Sequence, residues 1–329
     1  MRSLRTVAPC RRVILDTSLF TENFLTASKQ VIILYIIVAV GFACDRLGVF
    51  TEKTARASND LLFYVVTPCV IIDSFFSTEF TPESAKSLLI AALGGAITHI
   101  VGIVLTVPFF RKKDDPDNAV FKFASVYGNM GYMALPLAQA VLGEEGVFFC
   151  SAGVIVFQLF CFTHGVRVMN AGCEKTKFDL KKFIVNPGVL GVAAGLPFFL
   201  LRVHMPEIIS KPVSFIGSMN TPLAMLMLGT YMANAGLKTV FKNKKQYLAA
   251  FIKIIAVPAA VLCVVKFTGL MSGALLTACV IQASAPSANN TVMFAAKYGR
   301  DTGTASKTVA FVSFASVLTM PLMIALSRM

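Results

Sequence analysis

Apolar runs of about twenty residues recur along the whole chain, separated by short polar stretches. Ten can be drawn: 27–47, 57–77, 84–110, 119–142, 146–168, 183–202, 211–235, 246–267, 272–296 and 303–326. At about 1.5 Å per residue, each is long enough as a helix to cross roughly 30 Å of hydrocarbon. Two of the runs are interrupted. The fourth contains SVYGNMGYMALPLAQAVLG at 125–143, with two glycines, an amide and a proline inside an apolar span. The ninth, ACVIQASAPSANNTVMFAAKYG at 278–299, carries Pro286 among serines and asparagines. In lipid, irregular backbone persists only where it is buried in protein or lines a cavity. The two interruptions therefore predict a cavity.

Composition agrees with a polytopic membrane protein. Of 329 residues, 56% are hydrophobic and 14% charged, against about 25% charged in soluble domains. The expected fold class is all-α, with ten transmembrane helices. The net charge of +13 needs no nucleic acid, because the bases lie between spans. Twenty Lys and Arg fall in the odd-numbered loops and adjoining helix ends, and five in the even loops and C-terminus. Since Lys and Arg accumulate on the cytoplasmic side, the odd loops are placed inside and both termini outside, in a cell membrane. Four arginines in MRSLRTVAPCRR oppose that orientation. They suggest that residues 1–20 are an extension outside a single transporter domain at 21–329. Scattered cysteines and three histidines indicate no disulfide framework, no metal site and no cofactor.

The two halves, 27–168 and 183–326, read as a repeat. Thr67-Pro68 is matched by Thr221-Pro222, and the turn at Gly143 by the one at Gly299, at offsets of 154 and 156 residues. Five spans per half is an odd number, so the second half enters the membrane inverted, as in many secondary transporters. The interruptions in spans 4 and 9 then become partners that meet near the midplane. Proline removes a backbone donor and clashes with the carbonyl four residues back. This makes Pro136 and Pro286 the expected crossing points, and Gly128 and Gly131 the places of close backbone approach. Exposed helix N-termini favour an anion. Asn129, Ser284, Asn289 and Asn290 could supply uncharged hydrogen bonds to it. The plainer alternative is that these small and kinking residues serve helix packing alone.

At these residues the chain resembles the auxin efflux carrier family, which includes bacterial malate permeases and plant PIN-formed carriers. The resemblance is carried by GNMGYMALPL at 128–137, NPGVLGVAAGLP at 186–197, NTPLAMLMLGTYMANAGL at 220–237 and SAPSANNTVMFAAKYGRD at 284–301. It is closest to the bacterial branch. It implies two inverted five-helix repeats with broken, crossing helices 4 and 9, and transport of small organic anions. It also implies that Asn129 and Asn186 bind substrate and that Pro136 and Pro286 mark the crossing. The chain departs from the plant carriers in its short central loop and in the SAPSANN sequence.

Ionisable groups within the spans are few, and such groups are often functional. Asp73 and His99 are the candidate coupling residues. Asp73 reads equally as an interfacial carboxylate, and His99 as a packed histidine. Lys253 and Lys266 bracket span 8 and are expected to snorkel to the surface. The sequence thus describes a secondary transporter, or permease, working by alternating access. Its partners are a small organic anion and the lipid bilayer, with a homodimer as a candidate assembly. The rivals are a sodium- or proton-coupled symporter and a membrane receptor. No phosphate-binding loop supports an enzyme or ATP-driven pump.

Overall fold

The computed structural model describes residues 17–110, 117–171, 185–203, 205–234 and 243–329. Within these the chain is helical, with no strand longer than a single bridge. Six helices are long and apolar enough to cross a membrane: Thr21–Arg46, Glu52–Ser77, Pro82–Thr106, Met130–Met169, Lys244–Thr268 and Thr302–Ser327. Pro187–Leu200 and Gly273–Ser284 are shorter apolar helices. Apolar side chains such as Ile36, Leu89, Val104 and Leu318 face outward and are exposed. Polar side chains such as Thr98, Ser151, Gln158 and Gln282 are buried. That inversion of soluble-protein polarity suits a surface covered by lipid.

Several prolines shape the long helices in the same way. The helix α1 (Thr17–Arg46) is continuous, and includes the last four residues of the stretch set apart as an extension. Then α2 (Glu52–Leu61) passes through a wide π-turn at Leu62–Val66 into α3 (Thr67–Ser77). Further on, Met130–Ala134 precedes α6 (Leu135–Phe160), and Ile252–Ala256 precedes α12 (Val257–Thr268). Each of these π-turns leads into a helix with proline in its first turn: Pro68, Pro136 or Pro258. Proline cannot donate and pushes away the carbonyl four residues earlier, so the turn before it widens. Thr67 donates its hydroxyl to Leu62 O at 2.8 Å, a second bond to the carbonyl that its own backbone N–H also reaches.

The remaining helices are α4 (Pro82–Thr106), α5 (Asp117–Val126), α7 (Val166–Met169), α8 (Pro187–Leu200), α9 (Glu207–Ser218), α10 (Asn220–Asn234), α11 (Lys244–Phe251), α13 (Gly273–Ser284), α14 (Asn290–Lys297) and α15 (Thr302–Ser327). They pack in two groups. In the first, α1 lies along α10, and α3 lies against α8 and α9. Gly41 and Gly229 let α1 and α10 touch backbone to backbone, the small-residue packing expected between helices in lipid. In the second group, α4 and α13 pack on α6, while α12 and α15 pack on α13. The groups meet where α1 crosses α15 and where α3 and α8 reach α6.

Within α6, Gly143 has φ 66 and ψ −152, a backbone that breaks the helix after its first two turns. Gly299, before α15, has φ 63. The two glycine turns read from the sequence are therefore both built on positive φ, which costs glycine little.

Candidate functional site at the crossing of two broken helices

Two interruptions face each other inside the second group. After α5, residues Tyr127 to Asn129 leave helical geometry before the π-turn begins; after α13, Ala285 to Ser287 do the same before α14. Gly128 and Ser287 form an antiparallel bridge. Asn129 N donates to Pro286 O at 2.6 Å, and Ala288 N to Tyr127 O at 2.9 Å. Ser287 Oγ donates to Ala124 O at 2.7 Å. Broken helices leave backbone donors and acceptors without helical partners. Here the two segments satisfy one another.

Gly128 sits in close-packed surroundings. A β-carbon there would lie 3.0 Å from Lys253 Nζ and 3.1 Å from Ala285 O. Gly131 differs, because a β-carbon would meet nothing within 4 Å. The chain is therefore approached closely at Gly128 and not at Gly131, which faces open space. Pro286 lies in the crossing and contributes its carbonyl. Pro136 does not: it is seven residues beyond Asn129, in the first turn of α6. A proline disturbs the backbone before itself, so the break it accompanies lies upstream.

The open space is a small cavity of about 50 Å³. Second-group residues Gly128 to Tyr132, Val154, Phe157, Gln158 and Ala288 to Asn290 line it, and Phe63, Thr67 and Gly188 close it from the first group. It thus lies at the junction of the two groups. Tyr132 OH donates to Asn59 Oδ1 across that junction at 2.7 Å. A larger cavity, about 190 Å³, lies between α3 and α8, among five phenylalanines with Glu79 and Arg202. It shares no lining residue with the cavity at the crossing.

Sequence-derived candidates fall into three sets. Asn129, Asn289 and Asn290 line the cavity together with Gly128 and Gly131. Asn129 accepts from Tyr132 N at 3.1 Å through Oδ1 and so caps the π-turn. Its NH2 group supplies two further donors. Asn186 caps α8, accepting from Gly188 N at 3.0 Å, two residues from the cavity wall. Ser284 is buried and turned back onto Ile281 O. Neither Asn186 nor Ser284 reaches the cavity wall.

The candidate coupling residues are outside the cavity as well. Asp73 lies half-buried on α3. His99 is wholly buried on α4, with Nδ1 on Gly95 O at 2.7 Å and its ring stacked on Phe160. His99 Nε2 has no hydrogen-bond partner. Among the described residues, no group of three His, Cys, Asp or Glu could hold a metal ion.

Two residues depart from the sequence reading. Gln158 is 5% exposed, lines the cavity, and has no partner for Oε1. An amide inside an apolar run was the available signal. Lys253 does not snorkel: it is 0% exposed, and Nζ donates to Ala283 O at 2.9 Å. It is one of the twenty bases assigned to odd loops and adjoining helix ends, since α11 begins with Lys244 and Lys245, but its side chain runs inward to the crossing. The odd-loop total falls by one without changing the bias. Of the other loop bases, Arg111, Lys112, Lys113, Lys175, Lys177, Lys181, Lys182, Lys238 and Lys242 lie outside the described residues, as do residues 1–16.

Comparison with known proteins identifies the chain's relatives. The family model described as membrane transport protein matches residues 26–324. An uncharacterized transporter of Methanocaldococcus jannaschii is 26% identical over 283 residues, covering 82% of this chain and 89% of its own. A Rhizobium meliloti protein bearing the name "Putative malonate transporter" is 22% identical over 298 residues, covering 86% and 90%. Auxin efflux carrier component 1 of Arabidopsis thaliana is 30% identical over 122 residues, 36% of this chain and 20% of its own. The chain, a multi-pass membrane protein and not an enzyme, belongs to the membrane transport protein family, the auxin efflux carrier family that its motifs resemble.

Proposed function

We propose that the protein carries a small organic anion, a mono- or dicarboxylate, across a cell membrane by alternating access. The observation that carries this reading is the wall of the cavity at the crossing. Its polar side chains include the amides of Asn129, Asn289, Asn290 and Gln158, and no carboxylate is among them. Uncharged donors suit a carrier, which must release its anion as well as bind it. The Rhizobium meliloti relative, whose name refers to malonate, makes a short dicarboxylate the first candidate.

The two packing groups suggest the mechanism. The cavity draws its wall from both, so relative motion of the groups would open it to one side or the other. The Tyr132–Asn59 contact would break and re-form as they move. We take the groups to be parts of two inverted five-helix repeats, giving ten spans with both termini outside.

Uptake by purified protein in liposomes, against a panel of mono- and dicarboxylates, tests the reading. Saturable uptake of malonate or a close homologue is expected. Uptake confined to cations or neutral solutes would overturn it. An impermeant thiol reagent on intact cells tests the orientation, with labelling expected at a cysteine placed at Met329.

A further inference from the structure

We propose that Lys253 is a tethered cation built into the crossing, and that its charge determines the anion selectivity of the cavity in place of a bound metal ion. The inference rests on the anion-carrier reading and assigns part of that selectivity to one residue.

The geometry is specific. Lys253 leaves the π-turn before α12 and is wholly buried. Its ammonium reaches the C-terminal end of α13, donating to Ala283 O at 2.9 Å. That end carries the carbonyls left over where the helix breaks, and the negative end of its dipole. The same ammonium lies against the β-carbon position of Gly128, 3.0 Å away. Gly128 in turn lines the cavity. Lys253 itself does not line it. Its charge acts through the thin wall that a glycine provides, without gripping the ligand.

Burial makes that charge consequential. The ion pairs found among the described residues, Arg56–Glu52 and Lys211–Glu207, are on the surface. Neither reaches Lys253. A buried ammonium without a carboxylate partner is costly to desolvate. The carbonyls at the end of α13 offset part of that cost, and an anion entering the cavity would offset more. The field behind Gly128 would also disfavour a cation there. The carbonyl end at which a metal ion could sit is already occupied by the lysine amine.

The repeat offers a second observation. His99 and Lys253 are 154 residues apart, the separation that relates Thr67-Pro68 to Thr221-Pro222. His99 is also wholly buried, with its ring beside Tyr127 at 5.8 Å between centroids. Tyr127 accepts from Ala288 in the crossing. A basic side chain therefore lies against each broken segment at corresponding positions in the two halves.

The test uses purified full-length protein and malonate as the probe, with the other carboxylates of the panel in reserve. Wild-type binding should be unchanged when sodium chloride is replaced by choline chloride. Lys253→Met, similar in length but uncharged, should weaken binding by about tenfold to a hundredfold, as expected for loss of a nearby, poorly screened charge. Lys253→Arg should stay within a few-fold of wild type. The ligand-free Lys253→Met protein should melt at or above the wild-type temperature, because an apolar replacement for an unpaired buried charge is neutral or stabilising. A purely structural lysine would instead lower it. If the Met variant does not fold, Lys253→Gln, which keeps a donor for Ala283 O, takes its place. Wild-type affinity in the neutral variant, equal loss in Met and Arg, or a sodium requirement would overturn the role of Lys253 while leaving the anion-carrier reading standing. Failure of wild type to bind any carboxylate would overturn both.

Discussion

The two broken segments reach the same crossing by different means. In the first, Gly128 removes a side chain so that the Lys253 ammonium and Ala285 O can approach. Asn129 then restarts the chain by capping the π-turn. In the second, Pro286 removes a donor, Ala285 before it is extended at ψ 134, and Ser287 supplies a hydroxyl to Ala124 O. One side makes room and the other fills it. The first segment should therefore be sensitive to added volume, and the second to loss of hydrogen bonds and of backbone restriction.

Gly128→Ala is expected to have the largest effect. The new methyl meets the Ala285 carbonyl and the end of the buried Lys253 side chain, so both must shift by a few tenths of an ångström. About 3 kcal/mol of destabilisation is expected, the upper end of the overpacking range, with loss of malonate uptake. Gly131→Ala should leave the melting temperature within a few degrees, because its methyl enters open space. It should still impair uptake by narrowing the cavity. Thermal unfolding in detergent, paired with liposome uptake, separates the two effects. Equal melting temperatures for both variants would show that the crossing is loosely packed.

Asn129→Ala comes next. It removes a donor that the anion would use, which costs about 1.5–3 kcal/mol for a bond to a charged group, or roughly a tenfold to hundredfold weaker affinity. Loss of the π-turn cap adds about 0.5–2 kcal/mol to the effect on stability. Asn129→Asp should bind more weakly still, since it sets one carboxylate against another. Unchanged malonate affinity in the alanine variant would assign Asn129 to packing alone.

These residues also show what the sequence could and could not convey. The interruptions were legible because glycine, asparagine and proline in an apolar run have few structural excuses in lipid. The Gly143 and Gly299 turns were legible for another reason: each glycine precedes charged residues at the end of a span, and the two recur at the repeat offset. The position of the crossing was less so. Proline acts on the backbone upstream, so Pro136 pointed to the right helix but the wrong turn. Lys253 is deceptive in the sequence because it lies only eight positions beyond Lys245, and a run of bases looks like a loop. Whether a lysine side chain turns toward solvent or toward a break in another helix is a tertiary fact. Gln158 is inconspicuous in the sequence because it sits within a long apolar helix, and only the fold shows that α6 turns it to the cavity wall.

The prolines sharpen the comparison at a smaller scale. Replacing either with alanine loosens the unfolded chain and should destabilise by about 0.4–1 kcal/mol. Pro286→Ala has a further consequence, because a residue before proline is held extended and Ala285 would be released. Its effect on uptake should exceed that of Pro136→Ala, which lies outside the crossing. Malonate uptake by the two single variants and the double variant measures the difference. A double variant no worse than Pro286→Ala would place the functional effect at the crossing. Equal single effects would return Pro136 to it.

The smallest expected effect on transport distinguishes the turns that follow the broken segments, where the differences are in stability. At Gly143, Glu144 is bonded by Gln139 Nε2 at 2.8 Å, a contact between side chains. At Gly299, Asp301 caps α15 directly, accepting from Gly303 N at 2.8 Å and from Thr304 Oγ1 at 2.7 Å. The Thr304 hydroxyl first, and then the Gly303 N–H, hold the Asp301 carboxyl below its ordinary value. A carboxylate lowered on folding contributes stability that is fully present above its unfolded value and fades as pH falls through the folded one. Asp301→Ala should therefore lower the melting temperature at neutral pH, by an amount corresponding to about 1 kcal/mol for a lost cap. The gap from wild type should narrow once the solution is more acidic than the ordinary aspartate range. Glu144→Ala should cause a smaller loss, because it removes no backbone cap. Melting curves for both variants at neutral and strongly acidic pH would check this. A gap for Asp301→Ala that does not change with pH would mean that the ionised cap is not what secures the start of α15.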